Sequence, residues 1–253
     1  MMKHIYAFEQ VEDYRKFRPV IERFQSKLKA YQMVLEEDYQ LNDLPKGIVW
    51  TTKELATETF SQIEIPAYTN RNNVFFSPDL DGWKELFLQQ VEGCPDPLLG
   101  DFYQNLSESY IVTILGHELT HHLDLFLDDW DDEREDSIWF EEGMCEYLPR
   151  RNMLTDAEFG EIVKVETRLV ERFADSYGHQ TLDEFGTKTY EGSLSSILFQ
   201  YWRSFLTVKY LVEEKADGNV QEVFREYHRW DQEGRKVPLS EFFNVGRLTF
   251  ESK

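Results

Sequence analysis

Between residues 115 and 122 the chain reads Leu115-Gly116-His117-Glu118-Leu119-Thr120-His121-His122. On a helix, residues four apart lie above one another on one face, so the imidazoles of His117 and His121 can converge on one metal ion. Glu118 stands about 100° round from His117 on a ~3.6-residue turn. Its carboxylate therefore falls beside such an ion rather than on it, where it can take a proton from a water the ion activates. The expected ion is Zn2+, for which imidazole nitrogen is a ready ligand, and the expected chemistry is hydrolysis. The plainer reading of the same letters is a surface helix carrying two unrelated histidines. A catalytic zinc wants three protein ligands and one open position, so the motif needs a third ligand from elsewhere.

Downstream stands Trp139-Phe140-Glu141-Glu142-Gly143-Met144-Cys145-Glu146-Tyr147. This segment resembles the W-x-x-E-G-x-x-E-Y stretch of the gluzincin metallopeptidases, the superfamily that includes thermolysin. The resemblance implies that Glu142, just before the glycine, is the third zinc ligand, with the neighbouring Glu141 as competitor. It implies that Glu146, one turn further on, supports a ligating histidine, most naturally His117; Asp124, seven residues after His117, is the alternative. Transition-state stabilisation by a donor aimed at the oxyanion falls, by the same resemblance, to a residue of the C-terminal helical part. Tyr201 is the first candidate, Tyr190 the second and His179 a distant third, and a tyrosine packed in an apolar core is the plainer account of each. Gluzincins also run a strand beside the cleft whose edge pairs with bound peptides; Val74 to Ser77 is the candidate here. Two departures matter. Neither the GxMEN segment of the related aminopeptidases nor the Asn-Ala-x-Trp of thermolysin-like enzymes is present, so the resemblance reaches the superfamily and no family within it. It covers about Val74 to Leu211.

These residues need elements to position them. Apolar residues at Tyr14, Phe17, Ile21, Phe24, Leu28, Tyr31 and Leu35 recur at three and four, which predicts a helix over Val11 to Asp38; Pro19 inside it marks a kink or a break. Strands are expected at Gly47 to Thr51 and Asn73 to Ser77, with a further short one within Gln62 to Tyr68. A breaker-rich loop, Gly93 to Pro97, precedes a segment Leu98 to Leu127 expected to hold a long helix, the one that carries the HExxH motif. Further helices are expected at Ile138 to Leu148, Ala157 to Phe173, Leu194 to Lys215 and Asn219 to Tyr227. The class that follows is α+β, a small N-terminal sheet and then helices. The chain is expected to form a single metallopeptidase-like unit over residues 1–253, with the N-terminal helix and sheet in 1–95 and the HExxH helix with a helical subdomain in 96–253.

Composition bounds the partners. The chain has 253 residues with 41% hydrophobic and 15% aromatic content, enough apolar mass to offset the entropy of ordering. A net charge of −21 repels nucleic-acid and anionic membrane surfaces; its plainer reading is solubility alone, its sharper one cationic partners or substrates, so that the peptide or protein substrate implied by the resemblance would be a basic one. The residues Asp128, Asp129, Asp131, Asp132, Glu133, Glu135 and Asp136 read as a solvated loop that does not pack, or more sharply as an acidic rim for basic peptides. Two cysteines, Cys94 and Cys145, are too few for a disulfide framework and read as thiols of a reducing compartment. The N-terminal residues lack the apolar core of a signal peptide and no stretch reaches the ~20 apolar residues of a membrane span, so a cytoplasmic location is expected. His122 is read as structural or exposed, and His4 and His228 as surface residues without partners. Two function classes stand: a zinc-dependent peptidase with Glu118 as general base, or a zinc-binding scaffold that keeps the fold without turnover.

Overall fold

A computed structural model of the chain describes residues 2–61, 63–91, 96–128, 130, 136–246, 248 and 250. The architecture is α+β, a four-stranded sheet in the N-terminal part followed by helices. Packing divides the chain into two compact units, Met1–Asp124 with Leu148–Leu154, and Leu125–Tyr147 with Thr155–Lys253. The HExxH helix packs within the first unit, against the N-terminal helix and the sheet.

In the first unit β1 (Lys3–Ala7), β2 (Gly47–Thr51) and β4 (Asn73–Phe76) run parallel, and β3 (Ala67–Thr69) pairs antiparallel with β4, giving the order β1-β2-β4-β3. β2 is buried at every position, as a strand inside a parallel ladder should be. The long helix α1 (Val11–Asp38) is continuous through Pro19, so of the expected kink or break the break does not occur. All of the expected stripe except Tyr14 is buried. Aromatic rings carry the core: Phe24 meets Phe76, Phe76 meets Trp50 and Trp83, and Trp83 leads through Phe87 to Tyr103 and Tyr110. The segment Leu98 to Leu127, expected to hold a long helix, holds α4 (Glu108–Thr120), preceded by a shorter α3 (Pro97–Gln104). Ser107 separates them, its hydroxyl accepting from the Tyr110 N–H as an N-cap, a role serine fills better than a helix interior. Helix α2 (Leu80–Gln90) and a π-helical segment at Leu55–Phe60 were not expected. The further strand proves to be β3, starting at Ala67; Gln62, with residues 93–95 of the breaker-rich loop and Cys94 among them, lies outside the described residues.

In the second unit the helix α5 (Ile138–Met153, whose last turns belong to the first unit) is followed by α6 (Asp156–Tyr177), α7 (Leu194–Tyr210, ending in a π-helical turn Leu211–Lys215), α8 (Val220–Gln232) and the short α9 (Leu239–Phe242). Helix α6 opens with a capping box between Thr155 and Glu158, which fixes its start at Asp156, one residue before the expected Ala157. It packs on α7 through Phe159 with Phe205 and Phe173 with Trp202. Phe140 of α5 stacks on Tyr227 and Phe243. Among the described residues no helix is long and apolar enough to cross a membrane.

Candidate metal centre

Helix α4 ends at Thr120, and His121 is its C-cap with αR backbone angles and an N–H still bonded to the His117 carbonyl. The i, i+4 relation therefore survives at the helix terminus. The partial negative charge at that end of a helix suits a cation. The two Nε2 atoms stand 3.1 Å apart with the rings at 72°. That separation satisfies a hydrogen bond between neutral rings, and it is close to the ~3.3 Å that two nitrogens of one tetrahedral zinc keep. One ligand atom each of His117, His121 and Glu142 all lie within 4.8 Å of one another. His117 and Glu142 are buried and His121 half-buried. Two imidazoles and one carboxylate are the donor set of a catalytic zinc, so these residues fit the ion. Glu118 is buried one residue along α4. Glu141, although buried, is not in the cluster.

A glycine stands beside a ligand on each helix. At Gly116 a Cβ would fall 2.7 Å from Pro149 Cβ and 2.9 Å from Met153 Sδ, so α4 approaches the last turns of α5 only because no side chain is there. At Gly143 a Cβ would fall 2.6 Å from the Ser204 carbonyl oxygen and 2.6 Å from Val208 Cγ2, so α5 and α7 touch backbone to backbone next to Glu142.

The two candidate tyrosines stand together. Tyr190, in a 3₁₀ turn over Thr187–Glu191, donates from its hydroxyl to Glu142 Oε1 at 3.3 Å, and the Tyr190 and Tyr201 hydroxyls are 2.8 Å apart. Tyr190 thus touches the Glu142 carboxylate, and the Tyr201 hydroxyl of α7 stands against that of Tyr190. His179 is exposed beyond α6. Glu146 is half-buried one turn after Glu142. Asp124 is exposed and its carboxylate accepts from Asn42 Nδ2 at 2.6 Å.

Three further histidines have partners. His122, expected as structural or exposed, is buried; its Nε2 lies 2.9 Å from Thr69 Oγ1 on β3, and burial, then the neighbouring His121, push its pKa down to about 4. His4 is exposed, as expected, and accepts from Trp50 Nε1; His228 is half-buried and its Nε2 donates to the Leu125 carbonyl. The acidic stretch is not wholly unpacked: Arg235 binds Asp128 at 2.8 Å and Asp136 at 3.0 Å, as well as Asp231. Asp129, Asp131, Asp132, Glu133 and Glu135 lie outside the described residues. Cys145 is fully buried in α5. The strand expected to receive a peptide, Val74 to Ser77, is β4, which is paired on both sides. The edge next to α4 is β3, expected as a strand but not as the edge, because pairing order is not written in a three-residue segment.

No protein-family model, curated protein or solved structure matches this chain.

Proposed function

We propose that the chain is a zinc-dependent hydrolase of gluzincin type, acting on peptide bonds. The observation that supports this most is the convergence of His117, His121 and Glu142, a complete zinc donor set, with a buried Glu118 next to His117 in the chain and a tyrosine hydroxyl on Glu142. Zinc, when bound, supplies Lewis acidity toward the scissile carbonyl and toward water. Glu118 takes the proton of the attacking water and delivers it to the leaving amine. The Tyr190–Tyr201 pair donates to the oxyanion, with Tyr190 placed by its bond to Glu142. Glu146 orients a ligating imidazole. An extended peptide pairs with the outer edge of β3, held to the HExxH helix by the Thr69–His122 bond, through main-chain hydrogen bonds that suit many sequences.

The test is zinc per purified chain by elemental mass spectrometry, with Glu142→Ala and Glu118→Gln alongside, and turnover on a quenched peptide panel. The expected result is near one zinc per wild-type chain, much less in Glu142→Ala, and bound zinc without turnover in Glu118→Gln. A wild type that takes up no stoichiometric zinc after reconstitution overturns the reading. Zinc bound with no hydrolysis of any peptide or ester would leave the scaffold reading in its place.

A further inference from the structure

Tyr68 of β3 and Phe75 of β4 are cross-strand partners. Strand alternation puts them on the sheet face opposite Phe76, whose ring meets Phe24 of α1. Their rings stack at 4.5 Å with 6° between planes, and Phe60, closing the π-helical segment, continues the platform 5.3 Å from Phe75. The Tyr68 hydroxyl donates to the Phe60 carbonyl at 2.7 Å. Burial pushes the Tyr68 pKa up to about 12, so this donor keeps its proton. The rings are not sealed: Phe60 is 38% exposed, and Tyr68 and Phe75 are half-buried. An apolar platform held open to solvent beside a strand edge marks a contact surface.

The register says what would meet it. The Ser77 N–H bonds the Pro66 carbonyl and the Asn70 N–H bonds the Asn73 carbonyl. Ladder bonds alternate along an antiparallel pair, so Tyr68 spends its own main-chain groups on Phe75, and Ala67 and Thr69 turn theirs to the outer edge, which no strand among the described residues pairs. A strand added antiparallel would bond through Ala67 and Thr69. The residue opposite Tyr68 then falls in a non-hydrogen-bonded pair, the closer of the two kinds, with Cα atoms about 4.5 Å apart. Its side chain shares Tyr68's face, while its neighbours point to the other face, where Thr69 meets His122, one residue after His121.

We propose that Phe60, Tyr68 and Phe75 form a subsite that selects an aromatic or large aliphatic side chain of an extended peptide paired antiparallel to the outer edge of β3. This rests on the peptidase reading above and adds the substrate class of that site. The occupant follows from the chemistry: three uncharged rings in a chain of net charge −21 offer stacking area rather than charge, and the edge beside them offers main-chain pairing.

The experiment uses quenched peptides of one frame in which a single position is scanned through Phe, Leu, Gly and Asp. Hydrolysis by the wild type and by Tyr68→Ala and Phe60→Ala is followed, and binding of the same peptides to Glu118→Gln, with and without Phe60→Ala, is measured by fluorescence anisotropy. One position is expected to favour Phe over Gly by about three- to ten-fold, the worth of one aromatic pair, and both alanine variants are expected to bring that ratio toward one. Tyr68→Phe keeps the ring and should keep the preference. Should Tyr68→Ala fail to fold, Phe60→Ala, whose ring is partly in water, carries the same test. An unchanged Phe:Gly ratio in Phe60→Ala overturns the subsite while leaving the peptidase reading standing. Absent hydrolysis, with Phe-selective binding to Glu118→Gln that Phe60→Ala abolishes, overturns the hydrolase reading and supports the subsite. A peptide-free dimer abolished by Phe60→Ala assigns the edge to a second copy of the chain and overturns the proposal.

Discussion

Replacing Gly143 with alanine tests whether backbone contact between α5 and α7 sets the position of Glu142. The added Cβ would stand 2.6 Å from the Ser204 carbonyl oxygen and from Val208 Cγ2, and ordinary contact begins at 3.4 Å. Val208 can turn, but a helix carbonyl cannot, so the two helices must part by about 0.8 Å. Close-packed interiors yield poorly to such insertion, which costs about 1–3 kcal/mol. At about 2–4 °C per kcal/mol for a chain of this size, Tm should fall by about 2–12 °C. If α5 takes half the displacement, Glu142 moves about 0.4 Å, twice the ~0.2 Å within which metal–ligand distances are held. Zinc affinity should then weaken about 10- to 100-fold, the range seen when the supports of a ligand are removed. Thermal melts of the metal-free proteins report the first effect, and competition with a chromogenic chelator reports the second. A Gly143→Ala protein with wild-type Tm would show that α7 yields at no cost. Lowered Tm with unchanged zinc affinity would show that Glu142 is positioned by something other than this contact.

Zinc at 100 times its Kd should stabilise the wild type by about 2.7 kcal/mol, raising Tm by about 5–10 °C, and should leave the melt of Glu142→Ala nearly unmoved; differential scanning fluorimetry over a zinc series checks this. Tyr190→Phe should lower kcat about 100-fold or more, as loss of an oxyanion donor does, and more than Tyr201→Phe, with zinc content near wild type in both; the reverse order by steady-state kinetics would restore Tyr201 as the donor. Arg235 adopts a left-handed backbone with φ 48° while binding three aspartates. Arg235→Ala should cost about 1.5–3 kcal/mol from its charged hydrogen bonds, and Arg235→Gly about 1 kcal/mol less because glycine relieves the backbone; urea titrations that rank glycine below alanine would refute this.

The parts of the centre legible in the sequence are those written in helical period. His117 and His121 four apart and the Trp139–Tyr147 segment name residues that the fold brings within one cluster, and the α1 stripe reads directly as a buried face. What was illegible depends on context that one strand or turn does not carry. β1 escapes notice because four of its five residues are exposed at a sheet edge, so no alternation marks it. Ser107 looks like one more polar residue in a helical run until its cap bond is seen. Tyr190 gains its place from a 3₁₀ turn whose sequence, Thr187 to Glu191, has no periodic signature. His122 follows the motif and so reads as a bystander, yet its partner Thr69 lies 53 residues away, a separation no local pattern encodes.

The two unspecified letters of HExxH are not free here. Leu119 is fully buried, and the Thr120 hydroxyl donates to the Gly116 carbonyl at 2.8 Å while receiving the Tyr31 hydroxyl of α1 at 2.8 Å. A pool of variants randomised at residues 119 and 120 and selected only for folding would therefore return an apolar residue and a small hydroxyl, a five-residue consensus where the chemistry asks for three. A descendant that kept the fold without the metal site proposed here would still carry the inner letters, so Leu119 and Thr120 would outlast His117 and His121 as a record of the helix.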